Sequence, residues 1–239
     1  RCFDSEDIQN VNPNVDPIRD IEIIETEMKL ADLDSIEKRL DKKNRKKVEE
    51  KLCKILEKTK ELINNDKELI ILNDEFEKKD INQCGLLSTK PKLYICNVDE
   101  QSIEGGNKYS EKFVFKYGEK NTLIISAEIE NQINQLGDRV EKENYMKMIN
   151  MKETGLNSLI KKGFNLLSLE TFFTSGPEES RAWTITKNCT APKAAGEIHT
   201  DFEKGFIRAE TVSYNDFVEN GGWVKSKESG KMRLEGKDY

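Results

Sequence analysis

The sequence Leu93-Tyr94-Ile95-Cys96-Asn97-Val98-Asp99-Glu100 decides how the rest of the chain is interpreted. Its first half is short and mostly apolar, which is typical of a buried strand in a parallel sheet. A second such run, Thr122-Leu123-Ile124-Ile125, follows after a segment long enough for a crossover helix and ends in Ser126-Ala127-Glu128. Ligands of open α/β sheets bind beyond the carboxyl ends of such strands. We therefore predict that the two polar strand ends face one pocket and form a nucleobase site.

A simpler interpretation of Asn97 exists. Asn side chains often accept hydrogen bonds from the backbone a few positions further on, so Asn97 could cap an Asx-type turn that binds nothing. On these four residues alone both interpretations stay open, because short motifs match by chance.

Composition limits the classes of protein that this chain can represent. With 239 residues and 36% hydrophobic content it can bury a core divided among one to three domains. Charged residues make up 35% and the net charge is −6, so bulk electrostatics do not indicate a nucleic-acid binder, and any basic surface must be local.

The cysteines and the absence of long apolar runs bear on location. Five cysteines, odd in number and without C-x-x-C pairs, indicate reduced thiols in a cytoplasmic protein rather than disulfides or zinc. No apolar run approaches the length of a membrane span, and no signal-like segment is present. The sequence begins Arg1-Cys2-Phe3 without Met, as expected for part of a longer chain.

A helical arm is predicted over residues 16–82. Asp16-Pro17 is a helix start, with Asp as the N-cap and Pro at the first helical position. The apolar positions that follow form a stripe that drifts around a helix from Pro17 to about Lys43, about 40 Å long. A second amphipathic helix and a third short piece follow, and helices joined by short turns pair antiparallel.

The arm carries a local excess of positive charge. Between Glu37 and Lys60 there are eleven Lys or Arg residues against five Asp or Glu residues. The excess fits a solvated face with ion pairs such as Glu50 with Lys54. It fits equally a patch, including Lys42, Lys43 and Lys46, that contacts RNA phosphates. No aromatic residue lies among these lysines, so base stacking is not indicated there.

The chain beyond the second strand is predicted to hold two helices and then a β-rich module. Residues 128–150 and 156–167 have helical spacing. Thr171-Phe172-Phe173-Thr174, the turn Ser175-Gly176-Pro177 and Arg181-Ala182-Trp183-Thr184-Ile185 predict a β-hairpin. A short helix over residues 191–199 and a strand over 206–212 complete the pattern of a β-grasp module.

His199 is the sole histidine, and no second ligand stands at metal spacing beside it. We expect it to form a local hydrogen bond at a helix end, with Phe202 and Phe206 filling the core. Trp183 and Trp223 are expected to pack in the core or at its rim first, and to stack on RNA only second.

Asn97-x-x-Glu100 together with Ser126-Ala127-Glu128 resembles the base-recognising half of a P-loop GTPase domain. Most such domains carry N-K-x-D, whereas the N-x-x-E variant resembles the YchF branch of the Obg family, the Obg-like ATPases, which prefer ATP to GTP. Two further blocks resemble the same family. They are the arm sequence Asp20-Ile21-Glu22-Ile23-Ile24-Glu25-Thr26-Glu27 and the segment His199-Thr200-Asp201-Phe202-Glu203-Lys204-Gly205-Phe206-Ile207-Arg208-Ala209, which is similar to the family's TGS domain.

This resemblance covers essentially the whole chain and implies an architecture. The fold class is α/β, a partial P-loop NTPase sheet, with an inserted α-helical hairpin or coiled-coil arm and a C-terminal α+β β-grasp (TGS) domain. Residues 1–15 and 83–167 would be the C-terminal part of the nucleotide-binding domain, 16–82 the arm, and 168–239 the TGS domain without its last strand.

The resemblance also implies a function, that of a cytoplasmic, ribosome-associated ATPase. Asn97 and Glu100 would recognise the base edge, Val98 would lie against the ring, and Ser126 and Ala127 would close the other side. The cofactor would be ATP, or GTP, with Mg²⁺. The partner would be the ribosome or its RNA, bound through Lys42, Lys43 and Lys46 and through the TGS domain.

The sequence lacks the parts that phosphoryl transfer needs. There is no G-x-x-x-x-G-K-[ST] loop, because Gly230-Lys231 is followed by Met232 and Gly236-Lys237 by Asp238. Family members often carry a His where Asn10 stands, which makes a catalytic role for that loop doubtful. We therefore expect this chain to be inactive alone, with the phosphate and metal ligands supplied by a preceding segment. The alternative is a non-catalytic module that binds RNA or the ribosome.

Overall fold

The computed structural model of the protein describes residues 1–5, 12 and 14–239, so Asn10 lies outside the described residues. The chain divides into two compact units, Arg1–Ile160 and Lys161–Tyr239. Each unit is described by itself.

The first unit begins with a long helix and three shorter ones. Helix α1 spans Pro17–Leu40, and the Asp16 side chain caps it by accepting a hydrogen bond from the Arg19 N–H at 3.1 Å. Helices α2 (Glu50–Asn64), α3 (Leu72–Glu75) and α4 (Lys78–Gln83) follow. The prediction that α1 reaches Lys43 is wrong, because Asp41 adopts an extended ψ of 145° and the chain then enters a turn that includes a 3₁₀ segment at Arg45–Lys47.

Helix α1 contributes to two separate hydrophobic cores, which explains why its apolar stripe drifts. Ile18 and Ile21, near its start, pack on a cluster formed by Cys2, Cys96, Val98 and Phe113. Ile36, near its end, is fully buried in a second cluster that includes residues of α2, α3 and α4. A helix that faces two cores along its length needs an apolar stripe that changes direction.

Helices α1 and α2 run antiparallel, as the order of their ion pairs shows. Lys60 of α2 lies 2.8 Å from Glu37, and Asp66, just beyond α2, lies 3.2 Å from Lys29. Later positions in α2 therefore meet earlier positions in α1. The predicted ion pair of Glu50 with Lys54 is confirmed at 3.2 Å.

The sheet of the first unit consists of two parallel strands joined by a helix. Strand β1 (Tyr94–Asn97), helix α5 (Lys108–Tyr117) and strand β2 (Thr122–Ile125) follow one another, and β1 pairs with β2 in parallel. Tyr94 packs against Phe113 and Tyr117 of α5, with ring centroids 5.4 and 4.8 Å apart. The apolar face of α5 thus covers the strand face that carries Tyr94 and Cys96.

The helix predicted over residues 128–150 is two helices. Helix α6 covers Ala127–Gln135 and helix α7 covers Arg139–Met148. Leu136 adopts an extended ψ of 137°, and Asp138 starts the new helix by accepting a hydrogen bond from the Glu141 N–H at 2.8 Å. Helix α8 (Gly155–Leu166) comes next and is predicted to within one residue.

The second unit alternates short strands and helices. The predicted hairpin is confirmed as β3 (Leu169–Ser175) paired antiparallel with β4 (Ser180–Thr186). The remaining elements are α9 (Ala191–Ile198), α10 (Thr200–Lys204), β5 (Ala209–Thr211), α11 (Tyr214–Asn220), α12 (Trp223–Glu228) and β6 (Arg233–Glu235). Strand β6 pairs antiparallel with β5, and the Trp223 indole N–H donates to the Ser175 carbonyl at 2.9 Å.

Helices and strands are mixed in both units, in agreement with the predicted mixed fold class. Among the helices that the described ranges contain, none combines the length and the apolar character that crossing a membrane requires. All five cysteines are free thiols.

Candidate functional site

The polar ends of β1 and β2 lie side by side. Asn97 is in register with Ile125, and the Val98 N–H donates to the Ile125 carbonyl at 2.9 Å. The residues that follow Cys96 and Ile125 therefore meet at the carboxyl edge of the sheet, as the sequence predicted.

Asn97 joins the two strand ends through its side chain. Its Oδ1 accepts a hydrogen bond from the Ala127 N–H at 2.9 Å, across thirty positions of sequence. Its carbonyl accepts from the Cys2 N–H at 2.8 Å. A local cap does occur here, but Asp99 forms it, by accepting from the Ser102 N–H at 2.9 Å at the start of the 3₁₀ turn Glu100–Ser102. The Asn97 carboxamide is thus fixed between the strands, with its Nδ2 left as the donor group.

Two members of the predicted site are buried. Ser126 is 1% exposed, and its hydroxyl has no hydrogen-bond partner among the residues that the structure describes. Val98 is 2% exposed and packs with Cys2, Cys96 and Phe113. A ligand at the strand ends would therefore contact Val98 through its backbone. The hydrogen bond with Cys2, together with burial, raises the pKa of the Cys96 thiol.

Glu100 takes part in a hydrogen-bond network that the sequence did not predict. The Gln132 Nε2 on α6 donates to the Glu100 Oε1 at 2.7 Å. The Tyr145 hydroxyl on α7 in turn donates to the Gln132 Oε1. Glu128 and Gln132 stand four positions apart on α6, which places them on one helix face, but this spacing does not point to Glu100.

Asn107 is a second residue that the sequence analysis missed. It caps α5 by accepting hydrogen bonds from the N–H groups of Tyr109 and Ser110, at 3.0 and 3.1 Å. Its Nδ2 donates to the Cys2 carbonyl at 2.6 Å, and the Cys2 N–H in turn donates to the Asn97 carbonyl. The Asn-x-x-Ser spacing of a capping box at residues 107–110 was the signal.

The basic patch of the arm lies at its tip. Six of the eleven cationic side chains between Glu37 and Lys60 form ion pairs; these are Lys38, Arg45, Lys51, Lys54, Lys58 and Lys60. Arg39 donates to the Cys84 carbonyl at 2.6 Å. Lys42, Lys43, Lys46 and Lys47 are exposed, and within the described ranges none of them has an acidic partner within 4.0 Å. The unpaired charge is therefore concentrated in the loop between α1 and α2.

In the second unit, His199 makes the local contact that the sequence predicted. Its Nδ1 accepts from the Asp201 N–H at 3.2 Å and caps α10. The expectation that Phe202 fills the core is wrong, because this side chain is 55% exposed. Phe202 lies on the five-residue helix α10, beside the His199 ring, rather than under the sheet.

Both tryptophans use their indole N–H groups inside the second unit. Trp183 donates to the Thr174 hydroxyl at 2.9 Å, and the Arg181 guanidinium lies 4.1 Å from the Trp183 ring centroid. Trp223 packs edge-on against Phe217, with ring centroids 5.2 Å apart. Packing at the rim of the core, the first expectation for these residues, is confirmed.

Comparisons of this chain with known proteins agree on one family. Residues 169–239 match the family YchF-GTPase_C, described as a protein of unknown function (DUF933). The ribosome-binding ATPase YchF of Haemophilus ducreyi is 42% identical over 247 residues, covering 100% of this chain and 68% of that protein. The protein of the same name from Bacillus subtilis is 41% identical over 249 residues, also covering 68% of its length. The structure of the Schizosaccharomyces pombe YchF GTPase superposes with a TM-score of 0.78 at 30% identity, covering 100% of this chain and 67% of that one.

This chain belongs to the YchF family. The resemblance drawn from three sequence blocks is thereby confirmed over the whole chain, and this YchF-family chain spans about two thirds of the length of the relatives it matches.

Proposed function

We propose that this chain provides base recognition and ribosome contact in a YchF-type ATPase that prefers ATP to GTP. Residues 1–15 and 83–167 would form the base-recognising part of a P-loop nucleotide domain, 16–82 the arm, and 168–239 a TGS-type β-grasp domain. The proposal draws on the named relatives, two of which are ribosome-binding ATPases.

The observation that carries the base site is the hydrogen bond of 2.9 Å between the Asn97 Oδ1 and the Ala127 N–H. It holds the carboxamide so that Nδ2 can donate to a ring nitrogen, and N7 is an acceptor that adenine and guanine share. Ser126 is as buried as Val98, so it too would border the base through its backbone rather than through its hydroxyl. Ala127 and the Val98 backbone would border the ring.

ATP brings the reacting phosphates, and Mg²⁺ would accompany them. The site residues of this chain would bind and orient the base only; they are Asn97, Val98, Glu100, Ser126 and Ala127. The sequence contains no Gly-rich loop with a following Lys and Ser or Thr, so none of these residues is assigned to phosphate or metal.

Titration with fluorescently labelled ATP and GTP tests the base site, using the product of the full reading frame that contains this chain. We expect tighter binding of ATP, and we expect Asn97→Ala to weaken the binding of both nucleotides about tenfold, the value of one well-placed hydrogen bond. Asn121→Ala is the matched control, because Asn121 is exposed and precedes the amino end of β2. A clear preference for GTP would refute the proposal.

The unpaired lysines of the arm tip support the ribosome contact. Lysines without acidic partners are free to replace counterions on RNA phosphates, and such binding weakens steeply with salt. We expect Lys42→Glu, Lys43→Glu and Lys46→Glu together to lower ribosome co-sedimentation at moderate salt. The slope of the logarithm of the binding constant against the logarithm of the salt concentration should become shallower by about two. The matched control reverses three exposed lysines away from the arm, Lys120, Lys147 and Lys152. Equal retention of both triple variants would reject the arm as the contact.

The alternative function, a binding module without nucleotide chemistry, makes a different prediction about the gene. The ATPase proposal requires about a hundred residues upstream of Arg1 that carry a Gly-rich loop followed by Lys and Ser or Thr. An initiator Met just upstream of Arg1 would leave only the binding module.

A further inference from the structure

Gln132 stands between two side chains from different parts of the first unit. Its Nε2 lies 2.7 Å from the Glu100 Oε1, and its Oε1 accepts from the Tyr145 hydroxyl. The same Nε2 lies 3.5 Å from the Glu128 Oε1. Gln132 and Tyr145 are both partly buried, whereas Glu100 is exposed at the edge of the candidate site. Two partly buried side chains therefore hold an exposed carboxylate.

The chemistry of these groups fixes the direction of the network. An ionised carboxylate can only accept hydrogen bonds, so the Gln132 amide must turn its NH₂ group toward Glu100. The amide oxygen then faces Tyr145, whose hydroxyl donates to it. With both ends of the amide engaged, rotation of Gln132 would break two hydrogen bonds, and Glu100 is held in one orientation.

Within the described residues, the Glu100 Oε2 accepts no hydrogen bond and Oε1 accepts one. Guanine presents two adjacent donors, N1–H and the N2 amino group, and paired recognition of both requires both oxygens of a carboxylate. Adenine presents a single amino group, N6, on the same edge. The Oε1 bound to Gln132 keeps a second lone pair, but turning both oxygens toward the guanine edge would pull the carboxylate out of the orientation that Gln132 sets, whereas a single donor needs only Oε2.

We propose that Gln132, oriented by Tyr145, is a positioning residue that holds the Glu100 carboxylate in one orientation and so disfavours guanine at the base site. This inference rests on the proposed function, because it assumes that a purine base binds beside Glu100. It adds the residues that would set the preference between ATP and GTP.

The test compares binding of labelled ATP and GTP to variants of the full reading-frame product. Gln132→Leu removes the amide while keeping most of the side-chain volume, and it should shift the ATP to GTP affinity ratio about tenfold toward GTP. Tyr145→Phe removes only the hydroxyl and should shift the ratio in the same direction by about twofold to threefold, because Gln132 keeps its bond to Glu100. Gln135→Leu is the control, since Gln135 is exposed on the same helix.

A double-mutant cycle separates positioning from a general structural effect. In a Glu100→Gln background, Gln132→Leu should no longer change the ratio, because the carboxylate that it positions is gone. If wild type prefers ATP and both Gln132→Leu and Tyr145→Phe leave the ratio unchanged, the inference is overturned while the proposed function stands. If wild type binds neither nucleotide, or prefers GTP, the proposed function fails and the inference fails with it. If Gln132→Leu does not fold, the ratio of ATP affinity to GTP affinity in Tyr145→Phe decides whether the inference stands.

Discussion

Asp32 connects the arm to the segment that leads into the sheet, and its replacement should be costly. The carboxylate is 3% exposed and accepts hydrogen bonds from the Leu87 and Ser88 N–H groups, both at 2.8 Å, and from the Ser88 hydroxyl. In Asp32→Asn one oxygen becomes an NH₂ group that faces a backbone donor. One charge-assisted bond is lost and another is weakened, at about 1.5–3 kcal/mol for a bond to a charged group. We expect the free energy of unfolding of the first unit to fall by about 2–3 kcal/mol.

Urea unfolding followed by two probes measures this effect. Both tryptophans, Trp183 and Trp223, lie in the second unit, so their fluorescence reports that unit, whereas far-UV circular dichroism is dominated by the helices of the first. With a urea m-value of about 2 kcal/mol per molar, the circular dichroism midpoint of Asp32→Asn should fall by about 1–1.5 M. The fluorescence midpoint should stay unchanged.

Asp34→Asn is the matched control, because Asp34 lies on the same helix and its ion pair with Lys38 is exposed. Exposed i,i+4 pairs contribute about 0.3–0.5 kcal/mol, so this variant should shift the midpoint by no more than about 0.3 M. Midpoints of Asp32→Asn and Asp34→Asn that agree within about 0.2 M would refute the assigned role of Asp32.

Two further predictions concern the contacts of Glu25 and Gly155. Burial alone would raise the pKa of Glu25, but hydrogen bonds from Lys92 and Tyr94 outweigh it and hold the pKa below its ordinary value of 4.5. A lowered folded-state pKa stabilises the protein above the unfolded value, so the advantage of wild type over Glu25→Gln should be constant above about pH 6 and shrink below about pH 4.5, as urea unfolding across pH would show. Gly155→Ala should destabilise by about 1–3 kcal/mol, because its Cβ would lie 2.7 Å from the Ile125 Cγ2. Gly163→Ala in the same helix meets nothing within 4 Å and should raise the thermal midpoint instead; a lower midpoint would contradict this packing.

Local sequence signals predicted the elements whose ends are set by neighbouring residues. Asp16 and Pro17 fixed the start of α1 because capping and proline geometry act within one turn. The alternation from Arg181 to Ile185 located β4 because a half-buried strand needs period two. The convergence of Asn97 with Ala127 was also predictable, since parallel strands joined by one helix bring their carboxyl ends to the same edge.

The features that were missed depend on contacts between distant residues. The break between α6 and α7 leaves the helical spacing of apolar residues intact, so only Gly137-Asp138 hinted at it. Gln132 acquires its role from Glu100, thirty-two positions earlier, and no pattern within α6 indicates that partner. Phe202 was assigned to the core because aromatic residues usually are buried, but a five-residue helix does not bury every apolar side chain that it carries.

The apolar stripe of helix α1 changes direction along the helix, and this irregularity indicates two separate cores. A regular apolar stripe would have indicated a helix that faces one core, whereas the drift reflects one core shared with the sheet and another shared with the arm. Between these cores, Glu25 accepts hydrogen bonds from Lys92 at 2.7 Å and from the Tyr94 hydroxyl at 2.8 Å, and Tyr94 begins the strand that Asn97 ends. The arm and the candidate base site are therefore joined through a single helix and four residues of strand. Variants of Glu25 should consequently be assayed for nucleotide affinity as well as for stability.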